Sequence, residues 1–166
     1  LPYMHMTHER ARMDSAGVTH VHHFFLPRAA QALAALWRKA SAEPDHRLRN
    51  MLLFFVEQAI WGMSLLARYA PTHYSQVNQH LNGIYYVGSQ VVDVSPWYNL
   101  DGKLRRLKKP MERLDSKYGV CVTNTGDCSK IFLNNDSIDY IFTDPPFGKN
   151  LYYADLNYLV ESWHRV

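Results

Sequence analysis

Cysteine is scarce in this chain: Cys121 and Cys128 are the only two among 166 residues. Neither stands at the CxxC spacing of a metal site and no secretory signal comes before them, so both are expected to be free thiols in a reducing, cytoplasmic setting. An excess of one charge is lacking as well. Lysine and arginine number 18 against 15 acids, and the net charge of +3 permits contact with a polyanion without requiring it. The sequence contains no internal repeat or low-complexity tract, and its 47% hydrophobic and 20% charged residues exclude the disordered classes. Nor is there a clean membrane span. MLLFFVEQAIWGMSLLARY, residues 51–69, comes near the length required, but Glu57 and Gln58 stand at its middle and Arg68 near its end. An ionisable group at the bilayer centre costs about 2.5–3.5 kcal/mol even on lenient scales, which favours a buried core helix.

The periodicity divides the rest. Residues 1–23 are polar, rich in His and Met and without a clear period, and are expected to be irregular. Pro27 suits a first helical turn and opens a helix expected over 27–42, with Leu33, Leu36 and Trp37 on one face. A second helix is expected over 45–69 and closed by Pro71; GIYYVG (83–88) and QVVDV (90–94) predict one or two short strands. Ser95 as N-cap and Pro96 at the first position open a third helix. Its run KLRRLKKPMERLDSK alternates Leu104, Leu107, Met111 and Leu114 with basic residues, and Pro110 should kink or end it. The last third changes period: a strand over 118–124, a turn and short helix in 126–134, a strand over 137–143 and a helix over 153–164. That β-α-β-α alternation predicts an α/β fold with a parallel, doubly wound sheet.

In open α/β sheets ligands bind beyond the carboxyl ends of the strands. Two polar stretches fall there: Thr125-Gly126-Asp127, and Asp144-Pro145-Pro146-Phe147-Gly148. Successive prolines fix φ and remove two backbone donors, so the second turn presents acceptors and almost no donors. A carboxylate, a bare carbonyl and an aromatic face suit a flat ligand bearing an amino group: it can stack on Phe147 while Asp144 and the Pro145 carbonyl hold its N–H groups. Asp127 has a second reading, as a helix N-cap with no ligand. His20, His22 and His23 could ligate a metal, but without an acidic or Cys partner they read more readily as solvated, and no metal is expected. The basic run from Lys103 to Lys117 could meet phosphates or be the wet face of an amphipathic helix; Lys149, beside the turn, is the better phosphate contact.

SIDYIFTDPPFG closely resembles motif IV of the amino-directed DNA methyltransferases, the (D/N/S)PP(Y/F) enzymes that methylate N6 of adenine or N4 of cytosine. The wider stretch TGDCSKIFLNNDSIDYIFTDPPFGKNLYYADLNYLVESW looks like a bacterial and archaeal group of these methylases, in which the turn is followed by a Tyr, an acid-Leu-Asn and a Trp-bearing helix. HHFFLPRAAQALAALW resembles a region such proteins carry ahead of the motif, though the clear match is with residues 119–166. The resemblance implies part of a Rossmann-like domain over 118–166, preceded by a mainly helical segment over 1–117 with a DNA-contacting role. It implies S-adenosylmethionine as cofactor, held by Gly126, Asp127 and Asp144, and DNA as partner. Asp144, Pro145, Pro146 and Phe147 would form the catalytic turn, with Phe147, Lys149 and Tyr152 toward the substrate. A restriction or defence-system partner would fit the same family.

One family feature is missing. None of the glycines at 17, 62, 83, 88, 102, 119, 126 and 148 forms the FxGxG loop that approaches the methionine part of the cofactor. The chain also begins Leu1-Pro2 and stops at Val166 inside an expected helix. Both point to a piece of a longer methyltransferase, inactive on its own and completed by the remainder of its domain. Two other functions stay open: an RNA methyltransferase acting on guanine N2, which uses a similar turn, and a non-catalytic nucleic-acid-binding module. Neither adenine nor cytosine is favoured as target.

Overall fold

The computed structural model describes residues 10–77, 85–113, 121–124, 126, 127, 129–145 and 152–165. Its organising element is a pair of packed helices, α2 (Pro27–Ser41) and α3 (His46–Glu57), beside which lie a short α1 (Arg10–Ser15), α4 (Pro96–Met111) and α5 (Tyr153–His164). Local chemistry accounts for the starts of three of them. Proline opens α2 and α4, where its missing N–H would be unpaired in any case. Asp45 caps α3 by accepting the Leu48 N–H at 2.8 Å. Ser95 stands at the N-cap of α4 but makes no side-chain capping bond, and Pro110 falls in the last turn of that helix, one residue before its end.

The core joins distant parts of the chain. Met13, Val18, Val21 and Phe24 from the leader pack with Leu33 of α2, Val56 of α3 and Leu156 and Leu159 of α5. Residues expected to be irregular thus contribute α1 and a 3-10 turn, Val21–Phe24, to the interior. The second helix is shorter than its periodicity predicts. It ends at Glu57, after which three-residue turns such as Gln58 N–H to Phe55 and Ile60 N–H to Glu57 replace the helical ladder. Ala59, Ile60, Met63, Leu66 and Ala67 are all sealed in the core. Gly62 permits this path at close quarters, since a Cβ there would lie 1.8 Å from Asn99 Nδ2. Beyond it, Leu65 N–H bonds to the Phe24 carbonyl at 2.7 Å and the chain enters an antiparallel hairpin of β1 (Arg68–Ala70) and β2 (Tyr74–Gln76). The strands expected over 83–88 and 90–94 reduce to an extended passage that bridges Arg68 through Val91; residues 83 and 84 lie outside the described set.

The expected α/β fold is not what forms. Instead of a parallel, Rossmann-like sheet, the described residues make a mixed, mainly helical structure whose one sheet is the two-stranded antiparallel hairpin. Residues 121–124 and 137–143 are irregular, as are the described residues of the short helix expected within 126–134. The physical reason is non-local. A strand needs a neighbour to fill its N–H and C=O ladder and a layer to cover its apolar face, and the described residues supply neither: Tyr140 is 80% exposed and Phe142 81%. Residues 118–120, and with them the boundary expected after residue 117, lie outside the described residues.

Helix α5 is held by Tyr85, a fully buried ring whose hydroxyl donates to the Asp155 carbonyl at 2.6 Å and the Leu156 carbonyl at 3.0 Å. Replacing Leu159→Ala should lower folding stability by about 2–5 kcal/mol through lost burial and a residual cavity. Tyr85→Phe should cost about 1 kcal/mol, the worth of the phenol's hydrogen bonding. Urea denaturation followed by circular dichroism measures both; equal stabilities for the three proteins would mean α5 is not part of the cooperative core.

Candidate functional site

The expected site residues divide between an anchored helix and an open approach to it. On the far side of the turn α5 is fixed in the core: Trp163 packs edge-on against Phe25, with ring centroids 5.8 Å apart, and lies 5.5 Å from Trp37. His164 closes the end of the helix through Nε2 to Glu57 Oε2 at 2.9 Å. Tyr152 is the N-cap residue of α5 and is partly exposed. Asp155 is buried one turn in, where the unpaired N–H groups of a helix start favour an acid.

On the near side, Asp144 and Pro145 are exposed, and among the described residues neither the carboxylate nor the carbonyl has a hydrogen-bond or ion-pair partner. Both stay available as acceptors. Pro146, Phe147 and Lys149 lie outside the described residues. Asp127 is exposed as well; its Oδ1 accepts the Ser129 N–H at 2.9 Å. That bond, with help from the Ser129 hydroxyl, holds its carboxyl below the ordinary carboxylate value. The contact spans two residues, which makes it an Asx turn, and no helix follows among the described residues for Asp127 to cap. A Cβ at Gly126 would find no atom within 4 Å. Asp127 and Asp144 share no hydrogen bond, so the two acids remain separate exposed acceptors.

Comparison with protein-family models, with curated proteins and with solved structures finds no match for this chain. The chemistry of the site therefore rests on its own residues. Their common property is acceptance: two carboxylates and a proline carbonyl, open to solvent, can hold the N–H groups of an amine.

The histidines of the leader lie together. His22 and His23 have ring centroids 4.3 Å apart, and His20 lies within 5.5 Å of both, with Thr19 Oγ1 at 2.9 Å from His20 Nδ1. Among the described residues no group of three or more His, Cys, Asp or Glu side chains is placed to hold a metal ion. No described helix is long and apolar enough to cross a membrane. Tertiary structure also makes a site that motifs and periodicity do not reveal, a cleft in which Trp61, Gly62 and Asn99 meet the hairpin. Its one local signal is the Trp97-Tyr98 pair standing just ahead of the basic run.

The histidine cluster carries a pH dependence with a definite sign. Partial desolvation, then the charges of His23 and His20, hold the His22 imidazole below its ordinary value of 6.5. The unfolded chain therefore takes up this proton first as pH falls. Stability should be fully present above 6.5 and decline as the pH drops through that value toward the lower folded one. Urea midpoints across this range should fall less steeply in His22→Gln than in the wild type; identical slopes would show that His22 does not contribute.

Proposed function

We propose that this chain carries the substrate-amine turn of an amino-directed DNA methyltransferase, acting on N6 of adenine or N4 of cytosine. The observation that carries the reading is TDPPFG at 143–148, whose acid is solvent-open and without a partner among the described residues, and whose following helix is fixed in the core. An exocyclic amino group is a poor nucleophile because its lone pair is delocalised into the ring. Acceptance of its two N–H groups by Asp144 and the Pro145 carbonyl draws the nitrogen toward tetrahedral geometry and frees that pair. Pro146 stiffens the turn. Phe147 supplies the face on which an extruded base stacks: flipping costs a few kcal/mol, and stacking offsets about 1–3 kcal/mol of it. Lys149 serves as a phosphate contact, and Tyr152 completes the substrate side.

S-adenosylmethionine supplies the methyl group when bound. Gly126 and Asp127 suit the amine end of its adenine, since the Asp127 carboxylate is exposed, its bonds are to the neighbouring Ser129, and the space beside Gly126 is open. No glycine-rich FxGxG loop exists in these 166 residues to meet the methionine end. The complete donor site therefore requires protein beyond them, and the chain alone is inactive.

The test is transfer of radiolabelled methyl from S-adenosylmethionine to unmethylated duplex DNA by the intact polypeptide that contains these residues. Asp144→Ala should lower transfer by at least about a hundredfold, the usual loss when one positioned hydrogen-bonding group is removed from the reacting atoms. Asp144→Asn should retain more, because its amide oxygen still accepts. Transfer to RNA alone would replace the DNA reading with guanine N2 methylation, and full activity in Asp144→Ala would end both.

A further inference from the structure

The segment following α3, the β1–β2 hairpin and the first turns of α4 enclose an open cleft of about 1030 Å³, at the upper limit of small-ligand sites, which run to roughly 1,000 Å³. Its contents are unusual for a plain surface depression. Trp97 is 72% exposed and Tyr98 is 59% exposed, so two large rings at the start of α4 offer their faces to solvent instead of the core. Tyr98 is braced edge-on by Tyr74 of the hairpin, with ring centroids 5.9 Å apart.

Cations line the same wall one and two turns on. Of the charges in the cleft, Asp101 is taken by Arg105 and Glu57 is engaged by His164, so both acids are answered. Lys103 and Arg106 have no ion-pair partner among the described residues, and the Arg106 guanidinium commits one donor, Nε, to the Gly102 carbonyl. Partial burial, then the neighbouring Arg106, lowers the Lys103 pKa, as expected for cations held together without an anion. The wall also holds the Asn99 carboxamide, whose Oδ1 is shielded from solvent and has no hydrogen-bond partner among the described residues. Such an acceptor gains by turning toward a donor that a ligand brings.

We infer that this cleft is a binding site for single-stranded nucleic acid, with Trp97 and Tyr98 as the stacking platform, Lys103 and Arg106 on the phosphates and Asn99 toward a base edge. Exposed rings followed along one wall by cations that no described acid answers are the combination that unpaired strands require, because every base has a stacking face and every phosphate a charge. A duplex hides those faces, so it would use the cations and leave the rings idle. The inference is independent of methyl transfer, since none of these residues belongs to the Asp144 turn.

Fluorescence anisotropy of labelled oligothymidylate and oligouridylate strands, titrated with the 166-residue chain over a series of salt concentrations, tests it. Trp97→Ala should weaken binding by about 5- to 150-fold per stacked base, while Trp97→Phe should bind nearly as the wild type. In the Lys103→Gln/Arg106→Gln double variant the slope of log K against log salt should shrink by about 1.4, or 0.7 for each single-strand phosphate that is no longer neutralised. Arg47→Gln, on α3 and away from the cleft, should change neither. Trp97 and both cations reach the surface, so circular dichroism should find all variants folded. Binding of either oligonucleotide more tightly than of the matching duplex is the expected result. No binding, tighter binding to the matching duplex, or wild-type behaviour of Trp97→Ala and the double variant would each overturn the proposal.

Discussion

The phenol of Tyr85, sealed among Phe24, Trp61 and the start of α5, gives its one proton to the carbonyls of Asp155 and Leu156, some seventy residues along the chain. A buried hydroxyl left without a partner would cost about 1–3 kcal/mol, so the ring and the helix start hold each other in register. Everything distal to the DPPF turn depends on that tie. With Leu156 and Leu159 buried behind it and Trp163 wedged between Phe25 and Trp37, α5 becomes part of the same core as α2 and α3.

The near side of the turn follows the opposite rule. From residue 129 to Pro145 every described residue is exposed, Phe132 to 93%, although Phe132, Tyr140, Ile141 and Phe142 are large apolar side chains. Leaving such rings in water forgoes about 25 cal/mol for each Å² that burial would remove. That loss stands because no neighbouring strand or helix among the described residues comes to cover them.

The two proposed surfaces are chemically complementary in what they recognise. The Asp144 turn offers acceptors and suits an amine; the cleft on α4 offers cations and ring faces and suits a strand's backbone and bases. One is formed by residues adjacent in sequence. The other assembles the segment after α3, the hairpin and α4, and depends on Gly62 allowing the Asn99 amide to lie against the main chain.

What the sequence by itself determined was local. Pro27, Asp45 and Pro96 marked where three helices begin, and the period of 153–164 marked the whole of α5, because capping and helical spacing act within a few residues. The acceptor character of Asp144 and Pro145 was legible for the same reason, since proline's lack of a donor needs no tertiary partner. Tertiary structure decided the rest. The apolar run after Glu57 reads equally well as a longer helix or as a folded-back core segment, and Phe24, Ser64 and Asn99 selected the second. A remote contact of the same kind, the bridge from Arg68 to Val91, ties the local hairpin of residues 68–76 to a distant segment, and the lack of such a neighbour among the described residues leaves 121–124 and 137–143 without a sheet. Strand pairing is settled by whichever segment lies alongside, and no stretch of sequence carries that information within itself.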